Sequence, residues 1–297
     1  MKIGIIQTRP GIGDFCIFLP LVQQISKFYN SKVTLITKKR SFARELTLDD
    51  PHIEKVIYIK EKNNNFDLYK HLRKEKFEYV FIFHFSFRYY LISLVSGIKN
   101  IFYYGVFKQN VQITNYAKLK LSKWLNNKFI NNYECKLFYK KQNNIDNSNN
   151  IILGIGGSGN NKKWNIVNYI DIIKKIDLNN NQIILAGGKF EMEDANFLIS
   201  FFKSNIISLC NLNLPDTLQY IQGSKLYLGN DTGFMHLSGA LGVRSFGLFG
   251  DTPADYTDYN NLIIPIMPKS KKKITHGDNM MNEIYPEHVF EVIKDFL

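Results

Sequence analysis

Four short stretches of the chain combine residue types that could do chemistry. Gly13-Asp14 follows an apolar run at residues 3–7. An open α/β sheet places its ligand crevice at the carboxyl ends of its strands, and a carboxylate there can act as a general base. The competing reading is an acid at a helix start, stabilised by the helix dipole. Gly154-Ile155-Gly156-Gly157-Ser158-Gly159 matches G-x-G-x-x-G after a second apolar run. In that pattern backbone N–H groups hold a diphosphate, although a tight turn needing glycine backbone angles would look the same. Lys162-Lys163-Trp164 follows at once and offers either an ammonium for a phosphate or a solvated loop anchored by Trp164. Asn230-Asp231-Thr232-Gly233-Phe234-Met235-His236 supplies an acid, a hydroxyl, a residue without a side chain and an imidazole one turn on. Together they suit a sugar diphosphate. Singly, Asp231 reads as an N-cap and His236 as a core histidine.

These groups need elements to position them, and the apolar patterning supplies a repeated set. Residues 3–7 predict a strand, 10–14 a turn and 15–29 a helix, with further strands at 33–37, 56–59 and 79–83. Residues 140–150 are polar and without apolar period, as expected of a linker. The pattern then restarts with a strand at 151–155, a turn at 156–159 and a helix at 166–176. Strands at 182–186, 226–228 and 245–249 follow, the last two separated by a helix at 236–241, and an amphipathic helix at 287–297 ends the chain. Strands alternating with helices imply parallel doubly wound sheets. Two α/β domains are expected, 1–146 and 150–284, with helix 287–297 returning to the first.

Composition narrows the function classes. The 297 residues carry a net charge of +12, with 45% hydrophobic and 14% aromatic residues, which describes a folded basic protein rather than a disordered one. Three separated cysteines, Cys16, Cys135 and Cys210, suggest neither a disulfide framework nor a thiolate zinc site. There is no Asp-x-Asp or His-x-x-x-His pair, so no metal is expected, and no Gly-x-Ser-x-Gly elbow. The G-x-G-x-x-G run by itself would fit a nicotinamide enzyme. However, the next strand ends in Gly187-Gly188 where a dinucleotide fold has a ribose-binding acid, which disfavours that cofactor. The first strand opens without an apolar secretory stretch, so a cytoplasmic location is expected. The lysines at 269 and 271–273, those within 108–141 and the aromatic, basic stretch 81–108 read as solvated faces and ordinary core elements, or as a peripheral contact with anionic lipid on the inner membrane face. No nucleic-acid-binding signature accompanies the charge.

In this order the motifs resemble glycosyltransferase family 9, the lipopolysaccharide heptosyltransferases. Residues 226–256 are similar to the family's GND[ST]GPMHLAAALGVP and LFGPTDP stretches, and Gly13-Asp14 with Pro20 to its LGD-x-x-x-x-x-P start. Residues 77–105, with Arg88, are similar to its YDxVIDLQGLLRSALLARLSGAxxxxGY segment, and Gly156-Gly157-Ser158 with Lys162-Lys163-Trp164 to PGAS…KRW. Phe234 and Asp251 stand where those stretches have proline.

The resemblance implies a GT-B fold, two Rossmann-like domains facing a cleft, with the acceptor bound by the first and a nucleotide sugar by the second. It implies an inverting, metal-independent transfer of heptose or a related sugar from an ADP-type donor to a lipid-linked, anionic lipopolysaccharide or lipooligosaccharide core. Asp14 would be the general base, and Gly13 and Arg88 would bind the acceptor. Gly156, Gly157, Ser158, Lys162, Asp231, Thr232, Gly233 and His236 would bind the donor. A transferase using another nucleotide sugar and a non-catalytic nucleotide-binding relative are the alternatives.

Overall fold

The computed structural model describes residues 1–62, 64–105, 113–127, 135–141, 146–157, 159–203 and 205–297. The chain forms two compact units, Met1–Tyr139 and Lys140–Leu297. In the first, strands β1 (Ile3–Ile6), β2 (Val33–Thr37), β3 (Ile53–Tyr58), β4 (Tyr79–Ile82) and β5 (Asn100–Tyr103) alternate with helices α1 (Ile12–Tyr29), α2 (Ala43–Leu46), α3 (Asn64–Glu75) and α4 (Phe87–Val95). Helix α5 (Ile113–Trp124) follows β5. Every pairing is parallel and the strand order is β3-β2-β1-β4-β5. All residues of β1 and β2 are buried, as continuous Ile/Val/Leu runs require of strands covered on both faces.

The second unit repeats the plan with β6 (Asn150–Gly154), α6 (Ile166–Ile173), β7 (Gln182–Ala186), α7 (Met192–Phe202), β8 (Ile206–Ser208), α8 (Leu214–Ile221), β9 (Leu226–Asn230), α9 (Gly233–Ala240), β10 (Ser245–Leu248), β11 (Ile263–Ile266) and α10 (Pro286–Ile293). Its parallel sheet has the order β11-β10-β9-β6-β7-β8. The centre of this sheet is made by close approach. A Cβ on Gly229 would lie 2.4–2.6 Å from the Gly154 backbone, and one on Gly154 would fall 1.8 Å from the Tyr227 hydroxyl. Gly154 is thus a packing glycine at the end of β6, required by close approach rather than by the backbone angles of a turn.

Two expectations are corrected. The C-terminal helix does not return to the first domain: Val289 and Ile293 lie in one core with Ile172, Ile173 and Leu226, and the Lys175 ammonium sits 5.1 Å above the Phe290 ring. Trp164 fixes this arrangement, since its indole N–H donates to the Ile284 carbonyl at 2.7 Å just ahead of α10. The first unit also ends at Tyr139 rather than 146. The end of the expected linker is fastened to the second unit, where Asn147 Nδ2 donates to the carbonyls of Gln219 and Gln222.

In both sheets the strand order reverses about the first strand, between β1 and β4 and between β6 and β9. At such a point the loops leaving the carboxyl ends diverge and open a crevice. The loops concerned, with the first turns of the helices they enter, carry Arg9 and Asp14 and then His84 and Arg88 in the first unit, and Gly156, Gly157 and Lys162 and then Asp231 and His236 in the second.

Candidate functional site

At the first reversal point, Gly11 adopts φ +117°, a conformation that favours glycine, and lets the chain turn from β1 into α1. Gly13 and Asp14 then fall in the first helical turn. Asp14 Oδ1 lies 3.4 Å from Arg9 Nε, with both side chains about a third exposed (30% and 34%). From the other side of the reversal, α4 brings Arg88. Its Nη2 donates to the Tyr89 hydroxyl at 3.1 Å and its guanidinium covers the Tyr89 ring at 4.8 Å. Thr8 Oγ1 and Asn64 Nδ2 reach the same hydroxyl at 3.1 and 3.2 Å. Of the three first-domain residues expected from sequence, Gly13 and Asp14 thus lie at the start of α1, and Arg88 lies on α4 beside Tyr89.

Three further residues join them. His84 packs edge-on to Tyr89, ring centroids 5.2 Å apart, and its buried Nδ1 has no hydrogen-bond partner among the described residues. Burial, with the positive charges of Arg9 and Arg88, holds its pKa down to about 4, so the ring is neutral at physiological pH. Tyr104 is buried with its hydroxyl likewise unpartnered among the described residues, and burial pushes the phenol well up, with Arg9 and Asp14 both close enough to act on it. Arg9, His84 and Tyr104 were not found from sequence. Only Arg9 left a signal, a cation in the turn that precedes a candidate base.

The second reversal point is organised by Asn230, which is fully buried. Its Oδ1 accepts from the Trp164 N–H at 2.9 Å, and its Nδ2 donates to the carbonyls of Ile155 and Gly156 at 3.3 and 2.8 Å. One amide thus ties the glycine-rich turn, the Lys162-Lys163-Trp164 segment and the end of β9 together. The glycine-rich turn does not open a long helix, as the diphosphate fingerprint expects. A single 3₁₀ turn, Asn160–Lys162, follows it, and α6 starts only at Ile166, capped by Asn165. Gly156 and Gly157 lie in the turn, and Ser158 falls outside the described residues.

The helix that does spring directly from a strand end is α9, where Asp231 and Thr232 precede Gly233 at its first position. The amide dipoles and free N–H groups at this start favour an anion. Asp231 and His236 meet, with Oδ1 3.5 Å from Nε2, and the other ring nitrogen of His236 lies 2.6 Å from the Tyr259 hydroxyl. Burial pushes the Asp231 carboxyl up. Hydrogen bonding from His236 and Thr252, with the Lys162 charge, outweighs that and leaves it below the usual carboxylate range. The two adjacent lysines differ in use. Lys163 Nζ pairs with the buried Glu191 at 2.7 Å, and Glu191 also accepts from the Gly188 N–H at 2.8 Å. Lys162 has no carboxylate within ion-pair distance among the described residues, and its charge acts on Asp231. Glu191 and Tyr259 escaped the sequence reading because their partners are remote in the chain.

Beyond β10, Asp251 Oδ1 accepts from the N–H groups of both Gly277 and Asn279 at 3.0 Å, which fastens the segment after β11 to the strand end. Within the lysine run, Lys271 pairs with Asp278 at 2.6 Å and Lys273 with Asp255 at 3.6 Å, so two of its charges are locally matched. Stretch 81–108 forms β4, α4 and β5 up to residue 105, the rest lying outside the described residues. Phe87, Leu91, Leu94 and Val95 of α4 are 45–66% exposed. No helix among the described residues is long and apolar enough to cross a membrane, and no group of three His, Cys, Asp or Glu among them could hold a metal.

The chain is similar to several known proteins. A stretch of 163 residues is 30% identical to lipooligosaccharide heptosyltransferase 2 of Campylobacter jejuni, covering 49% of this chain and 51% of that protein, so the match spans about half the length of the curated relative. The fold matches ADP-heptose lipopolysaccharide heptosyltransferase II of Escherichia coli with a TM-score of 0.78 at 18% identity, covering 100% of this chain and 98% of that one. It also matches the E. coli heptosyltransferase WaaC, solved with ADP-2-deoxy-2-fluoro heptose, with a TM-score of 0.79 at 14% identity over 100% of both chains. These place the two-sheet α/β architecture in the GT-B class. The sequence profile of glycosyltransferase family 9 (heptosyltransferase) matches residues 112–283, more than half of the sequence, and the chain belongs to that family.

Proposed function

We propose that the protein is an inverting glycosyltransferase that moves heptose, or a related sugar, from an ADP-type nucleotide donor to a lipid-linked lipopolysaccharide or lipooligosaccharide core. The observation that carries this reading is the cluster at the second reversal point. Lys162, the start of α9 and the Asp231–His236 pair together offer cations and amides for a diphosphate and a charged acceptor for sugar hydroxyls. The ADP-heptose in the names of the E. coli structures supports the choice of nucleotide.

Asp14 takes the proton of the acceptor hydroxyl as that oxygen attacks the anomeric carbon. The bond to the diphosphate breaks on the opposite face, so the configuration inverts. Negative charge then grows on the departing diphosphate, where the Lys162 ammonium, the amides of the glycine-rich turn and the N–H groups at the start of α9 stabilise it. These groups supply what a metal would otherwise do, and no metal is part of this reading. Arg9 and Arg88 around Asp14 suit an anionic acceptor. The exposed apolar face of α4 and the net charge of +12 support a peripheral position on the inner face of the cytoplasmic membrane.

Calorimetric titration with ADP, UDP, GDP, CMP and NADH tests the donor. ADP alone should bind. Preference for UDP or GDP would keep the chemistry and change the sugar, a second reading favoured by Phe234 and Asp251 where the family stretches have proline. NADH binding would overturn the proposal.

A further inference from the structure

We propose that Tyr259 is a positioning residue of the donor site, holding the His236 ring in one orientation, with Nε2 on Asp231, so that Asp231, and not the imidazole, is the group presented to the ligand. The inference rests on the reading above that Asp231 belongs to that site. His236 is expected from sequence to touch the donor, but its side chain is only 6% exposed and both ring nitrogens are occupied. Nε2 lies 3.5 Å from Asp231 Oδ1 and Nδ1 lies 2.6 Å from the Tyr259 hydroxyl. The two rings stack at 5.7 Å with a 30° tilt, and Tyr259 is itself buried.

The hydrogen-bond inventory assigns the protons. A neutral imidazole has one N–H and one lone pair, and a carboxylate only accepts. The proton therefore sits on Nε2, towards Asp231, and Nδ1 accepts the Tyr259 O–H. Without that hydroxyl the ring loses the bond that fixes its rotation, and Nε2 is held less firmly on Asp231. Gly239, one turn along α9 from His236, makes the contact possible. A Cβ there would lie 2.7 Å from Ile263 Cγ1 and 2.9 Å from Asn260 Nδ2, so only a glycine lets the 259–263 segment come this close. The Thr252 hydroxyl points the same way. It lies in a residue only 7% exposed and also acts on Asp231. An ionised carboxylate repels a diphosphate but accepts from sugar hydroxyls, so a positioning fault at Asp231 should touch the sugar-bearing donor and spare ADP.

The test is the nitrogen-15 ring spectrum of histidine in the full chain, with His236→Gln used to identify the signal. The wild-type ring should carry its proton on Nε2, with Nδ1 shifted as a hydrogen-bond acceptor; a proton on Nδ1 overturns the proposal, and this arm needs no Tyr259 variant to fold. Tyr259→Phe keeps the stacked ring and removes the hydroxyl. It should lose the Nδ1 acceptor shift, lower kcat about tenfold and leave the ADP dissociation constant within twofold. An unchanged ring spectrum or an unchanged kcat overturns the positioning role. The expected ring spectrum in a protein that binds another nucleotide sustains that role and overturns the ADP reading instead.

Discussion

Arg9 Nε lies 3.4 Å from Asp14 Oδ1, so the carboxylate at the first reversal point already has a guanidinium partner. With both side chains about a third exposed, the pair is worth little and is readily exchanged. In the proposed mechanism Arg9 would leave Asp14 for an acceptor anion while the carboxylate turned to the attacking hydroxyl. Asp14→Asn should then bind ADP within about twofold of wild type and lose turnover by about 10²–10⁴. Steady-state transfer assays beside calorimetry would read both; unchanged turnover removes Asp14 from the mechanism.

The neighbouring lysines should separate function from stability. Lys162→Ala should lower turnover by about 10²-fold, the scale of one lost charge-stabilising group, and leave the melting temperature in place. Lys163→Ala strands the buried Glu191 carboxylate and should cost about 1–3 kcal/mol of stability. Thermal unfolding and kcat measured on both variants would show the split, and the reverse pattern would exchange the two assignments.

Glycines that look alike in sequence should respond differently. Gly229→Ala drives a methyl group into the Gly154 backbone on the adjacent strand, where nothing can rotate away, and should cost about 2–4 kcal/mol. Gly223→Ala meets open space and pays only for its φ of +81°, about 1 kcal/mol. Urea unfolding midpoints for the pair would check the ranking.

His84 should make stability pH-dependent. Its folded pKa is about 4 against an ordinary 6.5, because the ring is buried and faces Arg9 and Arg88. The unfolded chain therefore binds more protons between those values. Stability is at its full value above about pH 6.5 and falls as the pH drops towards 4, by about 1–3 kcal/mol. His84→Gln cannot titrate, so its unfolding midpoint should vary less over that window. Equal slopes for the two proteins would show that His84 contributes nothing to them.

The parts of this architecture that were legible in sequence are those written in local patterns. Residues 33–37 and 182–186 form strands with the expected bounds because unbroken apolar runs bounded by polar residues have one comfortable state. The edge strands β5, β8 and β11 were missed because they are short and flanked by mixed sequence. Asp14, Asp231 and Lys162 could be singled out because they sit beside turns that glycines announce. Glu191 and Tyr259 were not, since their pairing with Lys163 and His236 spans distant parts of the chain, and His84 was not, since its burial beside Arg9 shows only in the fold. The C-terminal helix was misassigned for the same reason: its amphipathic face says that it packs, but the Trp164 bond to Ile284 decides where.

Asp251 makes two loops heritable as one. Its single carboxylate oxygen satisfies two amides at 277 and 279, so a chain with proline at 251 would at the same stroke release the 275–279 turn. A lineage that rebuilt that turn would leave a carboxylate with nothing to receive. Substitutions at the strand end and in the distant turn should therefore travel together among this chain's descendants, and a transplant of either segment alone into another family member should fail where a transplant of both succeeds.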